Sequence, residues 1–166
     1  MRGLFPTLFL LSLAAPLVAQ LAPPTNSVAG QGAELGRGKG ELLLFGPAMA
    51  LKREVNGPIQ LSGEELSKAG RYVAVLGDEK KTFFVMPGEA SKLSFIARPS
   101  RVPVAQPDVV IGVAFVLDGL QNLVLEPAQV KFDLALAGNK GFSRALESRD
   151  GVAWVRTASG SREGPA

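Results

Sequence analysis

The chain has 166 residues, no histidine, no cysteine, 19 glycines and 12 prolines, and its 18 Lys and Arg against 15 Asp and Glu leave a formal charge of +3. Without His or Cys it has no Ser-His-Asp or Cys-His nucleophile, no His- or Cys-ligated metal, no iron–sulfur cluster and no disulfide. Its cations are scattered, Lys52-Arg53 and Lys80-Lys81 being the densest pairs, and its aromatics sit in apolar runs, which is not the basic, aromatic-studded face of a nucleic-acid reader.

Residues 1–19 have the layout of a secretory signal peptide: Arg2 supplies the positive charge, Leu4 to Leu13 the apolar stretch, and Ala14-Ala15-Pro16-Leu17-Val18-Ala19 the small-residue exit. Cleavage is expected after Ala19. A retained membrane helix is the competing reading, but Pro6 and Pro16 interrupt a stretch shorter than the ~20 residues a span requires. No Cys follows for lipid attachment, so the expected location is secreted, periplasmic or cell-envelope. Residues 20–40 hold Pro23-Pro24, Gly36, Gly38 and Gly40 without apolar periodicity and are predicted to be a flexible linker.

From Glu41 onward, short apolar runs alternate with breakers. Strands are predicted at Leu42–Phe45, Met49–Val55, Ile59–Leu61, Arg71–Leu76, Thr82–Met86, Lys92–Ala97, Val109–Leu117, Leu123–Leu125, Val130–Leu136, Phe142–Glu147 and Val152–Thr157. Gly46-Pro47, Asn56-Gly57-Pro58, Gly77-Asp78, Pro87-Gly88, Gly119 and Asp150-Gly151 are among the punctuators. Strands at this spacing predict an all-β sandwich. Val130, Phe132, Leu134 and Leu136 share one face of their strand, with Lys131 and Asp133 on the other. Val109–Leu117 is apolar on both faces, as suits a central strand or one whose outer face meets another module. The predicted organisation is a short β module over 41–88 and a second module over 89–166.

Glu64 to Tyr72 reads as a short helical turn that ends in Ala69-Gly70-Arg71-Tyr72 and feeds a strand. It resembles the tyrosine corner of immunoglobulin-like domains, and the resemblance implies that the Tyr72 phenol bonds back to the backbone just before it. In the second module Asp118 is followed four residues later by Asn122, and then by Asp150-Gly151-Val152-Ala153, Ser159-Gly160 and Gly164-Pro165-Ala166. That pattern, over about residues 91–166, resembles the bacterial immunoglobulin-like domains of the invasin and intimin kind. The resemblance implies an immunoglobulin-like sandwich acting as a spacer or partner-binding unit, with Tyr72, Gly70, Asp118, Asn122, Asp150 and Gly151 as structural residues. It also implies a final strand after Gly164. The second module is therefore expected to lack its last strand and to leave an edge at Val152–Thr157 open to strand addition.

The candidate chemistry is sparse. Glu64-Glu65 and Asp78-Glu79 fall in turns and point apart, as solvated charge does. Asp108, Asp118, Asp133 and Asp150 would have to converge to hold calcium, and no Asp-x-Asp-x-Asp-Gly loop is present. Gly36-x-Gly38-x-Gly40 has no helix with Lys-Ser/Thr after it, so it is not a phosphate loop. Trp154, the only Trp, is either a contact surface or a cap on one end of the core. The expectation is a non-catalytic, cofactor-free exported protein with a structural, adhesive or protein-binding role and a protein or cell-surface partner. The alternative is a carbohydrate- or ligand-binding accessory domain that uses Trp154.

Overall fold

The computed structural model describes residues 20–135, 137–138 and 141–164; the expected signal peptide lies outside them. The chain is all-β. Among the described residues there are eleven strands: β1 (Gln20–Leu21), β2 (Ser27–Val28), β3 (Ala33–Gly46), β4 (Met49–Leu61), β5 (Gly70–Leu76), β6 (Glu79–Met86), β7 (Lys92–Arg98), β8 (Val110–Leu117), β9 (Gln129–Leu134), β10 (Phe142–Glu147) and β11 (Val152–Thr157).

β1 to β6 form one six-stranded sheet. Its frame is two hairpins, β3–β4 turning at Pro47-Ala48 and β5–β6 turning at Gly77-Asp78, joined where Leu42–Phe45 pair with Val73–Leu76. Alternation sets the buried face: Tyr72, Ala74 and Leu76 of β5 and Phe83 and Val85 of β6 all point inward. The sheet curls, so that Leu35, Ile59 and Leu61, far along the β3–β4 hairpin, share one core with Leu42, Leu44, Tyr72 and Phe83. Each such side chain contributes about 1.5–3 kcal/mol by leaving water.

Residues 20–40 are therefore not a linker. β1 pairs with β3, β2 runs parallel to β6, and Leu21 and Leu35 are core residues. The glycines that read as flexibility permit close approach instead: a side chain on Gly36 would overlap the Gln20 carbonyl, so β1 lies on β3 only because none is there. The first module thus starts at Gln20 rather than residue 41. Nor does Asn56-Gly57-Pro58 break a strand. β4 runs through it, with Gly57 at a φ of 117° opposite Gly38. As β4 pairs only with β3 among the described residues, Pro58 sits on a sheet edge, where its missing N–H leaves no partner wanting.

β7 to β11 make a sandwich of two small sheets, β11-β8-β7 against β10-β9. Ala114, Val116, Ala153 and Val155 from one meet Val130 and Phe132 from the other, with Val124 between. On β9 Val130 and Phe132 are buried while Lys131 and Asp133 are exposed, so the period-two pattern has its predicted meaning. Leu123–Leu125, predicted as a strand, makes only the single bridge Leu117–Leu123, because Asp118 to Asn122 fold into a tight turn there. β9 ends at Leu134; Leu136 falls outside the described residues. All seven residues of β7 are exposed, since β9 and β10 lie over β8 and β11 and leave the inner face of β7 uncovered.

Candidate functional site

Three features converge on the two modules: the junction between them, the corner that feeds it, and the outer face of the three-stranded sheet.

The junction is built on Asp118, at the end of β8 and only 2% exposed. Its Oδ1 accepts the Leu120 N–H at 2.9 Å and the Asn122 N–H at 2.8 Å; its Oδ2 accepts the Gly88 N–H at 2.9 Å and the Asn122 Nδ2 amide at 2.9 Å. Burial alone pushes this carboxyl up, but the four donors from Asn122, Gly88 and Leu120 outweigh it and hold the group below the ordinary carboxylate value. Asn122 then reaches the first module. Its Nδ2 donates to Ser67 O at 3.0 Å and its Oδ1 accepts the Ala69 N–H at 3.0 Å. The Lys68 Nζ donates to Leu120 O at 3.1 Å. Asp118 and Asn122, four apart in sequence, thus tie both the link at Gly88 and the Ser67–Ala69 loop to one turn.

That loop is held by the corner. The Tyr72 hydroxyl donates to Lys68 O at 2.8 Å, its ring stacks on Phe83 at 5.5 Å between centroids, and burial pushes the phenol pKa up. Upstream, the Ser62 N–H donates to Glu65 Oε2 and the Glu65 N–H to Ser62 Oγ, a reciprocal box that closes one turn but no helix. Gly70 opens β5 against Pro47.

Asp150 and Gly151 occupy a two-residue turn in which both have positive φ, 50° and 77°, and Arg149 and Val152 exchange both backbone hydrogen bonds. This is the primed turn that Asp-Gly favours. A side chain on Gly151 would also overlap Leu123. Asp108, Asp118, Asp133 and Asp150 stay apart, and no three His, Cys, Asp or Glu side chains group to hold a metal among the described residues.

Trp154 does not cap the core. It stands on the outer face of β11, 58% exposed, opposite Val113 of β8, which is opposite Ile96 of β7, itself 44% exposed. The next outer row is Arg156, Ile111 and Arg98. An apolar row therefore crosses the whole sheet with two arginines along its flank. The apolar outer face of Val109–Leu117, legible in the sequence, belongs to this surface rather than to a buried layer.

No protein family, curated protein or solved structure matches this chain.

Sequence reasoning missed Ser67, Lys68 and Ala69 as junction residues, and it missed the exposure of Leu93 and Phe95. The first omission has a readable cause. Backbone groups carry the contacts of Ser67 and Ala69, and backbone groups leave no residue-type signal. For the second, the alternation at Leu93, Phe95 and Ala97 shows a strand face but not whether anything covers it.

Proposed function

We propose that this chain is an exported, non-catalytic protein of immunoglobulin-like β-sandwich modules that binds a protein or cell-surface partner. The observation that carries this reading is the row Trp154–Val113–Ile96, which crosses three strands, exposed at Trp154 and Ile96 and half-buried at Val113, and is flanked by Arg156 and Arg98. A large aromatic in an exposed apolar row with arginines beside it has the composition of a protein-binding hot spot. It suits a partner with an apolar centre and an acidic rim. Export is supported by the layout of residues 1–19, and the immunoglobulin-like assignment by the Asp118/Asn122 and Asp150-Gly151 pattern together with the Tyr72 corner.

Binding of a sugar through Trp154 is the second reading, favoured by the exposure of that ring. A photo-crosslinking amino acid at Ser94, on the same outer face, separates the two in the host's envelope. One discrete protein adduct, lost when Arg98 and Arg156 are both changed to Glu, supports the protein-binding reading. Absence of any protein adduct, with Trp154 fluorescence shifting on added envelope polysaccharide, would replace it with the sugar-binding one.

A further inference from the structure

We propose that the second module accepts one extended segment of a partner protein as an added β-strand, hydrogen-bonded to the free edge of β9 and laid over Leu93, Phe95 and Ala97 of β7. The inference rests on the protein-binding reading above but uses the opposite face of the sheet from Trp154, so each can fail without the other.

Three observations define the occupant. First, β9 pairs with β10 on one side and with nothing on the other among the described residues, so alternate backbone N–H and C=O groups of Gln129–Leu134 face an open edge. Second, that edge borders a groove of about 420 Å³ lined by Leu93, Phe95, Ala97, Ala114, Phe132 and Leu134. Leu93 is 61% and Phe95 54% exposed, although they occupy the inner face of their sheet, level with residues that β9 and β10 bury elsewhere. Phe95 lies 6.1 Å from Phe132, tilted, as two rings do at the margin of one core. Third, the β10-β9 sheet packs over β11 and β8, so that β7 is the strand of the three-stranded sheet left without a facing strand among the described residues. A strand added at the usual spacing of about 4.8 Å beyond β9 lies above β7 and covers it.

The single uncovered strand also selects between occupants. Pairing β9 with the β9 of a second copy brings that copy's own β8 beneath it, into the space β7 fills. Laying a second copy's β7 there puts both first modules at the same end of the sandwich, because the axis relating the copies runs along the strands. A free strand carries neither obstruction. Its chemistry follows from what it meets: apolar side chains at alternate positions facing Phe95, Phe132 and Leu134, and polar ones outward beside Lys131 and Asp133. At the Ala97 end the groove continues into a more polar hollow lined by Arg101, Arg162 and Glu163, two cations against one carboxylate, and neither arginine forms an ion pair among the described residues. An acidic flank on the strand matches that end.

The probe is a synthetic peptide of about ten residues, alternating Val and Thr and ending in two Glu, added to the chain beginning at Gln20. Fluorescence anisotropy should show saturable binding, and amide hydrogen exchange should slow across Gln129–Leu134. Binding should weaken by about tenfold or more in Phe95→Glu, a side chain exposed enough to change without unfolding the module. A peptide N-methylated at alternate residues tests the edge without altering the protein and should not bind, whereas Trp154→Ala should bind normally. Equal binding of the methylated peptide, or no slowing of exchange in β9, overturns the proposal. So does sedimentation showing a dimer that itself protects β9 and excludes the peptide, since the groove would then belong to a second copy.

Discussion

The side-chain amide of Asn122, in the second module, donates to the Ser67 carbonyl of the first at 3.0 Å while also donating to Asp118 at 2.9 Å. One residue therefore holds its own turn and grips the neighbouring module. Asn122→Ala is expected to cost about 2 kcal/mol through the unpaired Ser67 carbonyl, Ala69 N–H and Asp118 oxygen. It should also split a single thermal transition into two, which calorimetry would detect. A single transition at an unchanged temperature would show that the contact does not couple the modules.

Asp118 gives the same junction a pH dependence. Its folded pKa is depressed, so the stability it contributes is present above the unfolded aspartate value of about 3.9 and is lost as pH falls through the folded value. Urea unfolding should show a loss below about pH 4. That loss should shrink in Asp118→Asn, which is less stable than the wild type at neutral pH because the amide nitrogen replacing one oxygen cannot accept two of the four donors and the remaining oxygen carries no full charge. A wild-type acid profile identical to that of the variant would remove Asp118 from the account.

Tyr72→Phe deletes only the hydroxyl that reaches Lys68 O, leaving the ring on Phe83. The expected loss is about 1–3 kcal/mol, from a half-buried carbonyl left without its donor. Denaturant midpoints with an unchanged slope are the measurement, and a variant as stable as the wild type would show that the phenol is dispensable.

Gly151→Ala places a side chain at a φ of 77° and into Leu123. Strain and overlap together should destabilise the second module by about 2–4 kcal/mol. Circular dichroism melts would report it. Leu123→Ala in the same chain should recover part of the loss if the overlap is real.

If residues 1–19 are removed on export as proposed, the mature chain begins at Gln20. Intact-mass measurement should find that terminus, which leaves β1 whole; an intact Met1 would indicate a retained anchor instead. A chain cut further, to begin at Ala22, loses Leu21, which is 3% exposed and whose N–H donates to Glu79 at 2.8 Å. It should melt lower, by the equivalent of about 2 kcal/mol.

Most of the strands were legible because each pairs an alternating apolar run with a turn dipeptide. Phe142–Glu147 and Val152–Thr157 carry the boundaries their residues predict. Residues 20–40 were not, since glycine reads identically whether the chain is loose or whether another strand must pass within contact of it, as Gln20 does at Gly36. Asp118 and Asp150 look alike in sequence, each an Asp-Gly. Only the fold separates a carboxylate buried under four donors from one exposed in a hairpin turn. Trp154 was legible as unusual but not as exposed, because an alternating strand does not announce which of its faces is turned to solvent.

The tie at Asn122 also bears on how the protein carries load. The covalent connection between β6 and β7 is five residues, Pro87 to Ser91, and Gly88 within it is pinned to Asp118. Tension drawn along the chain crosses the boundary through this short span, and the Asn122 bonds to Ser67 and Ala69 lie alongside it as a brace. The brace resists bending and twisting as well as extension. A ligand held on the Trp154 face would thus be presented at a fixed bearing to the first module, and pulling on one module would turn the other with it.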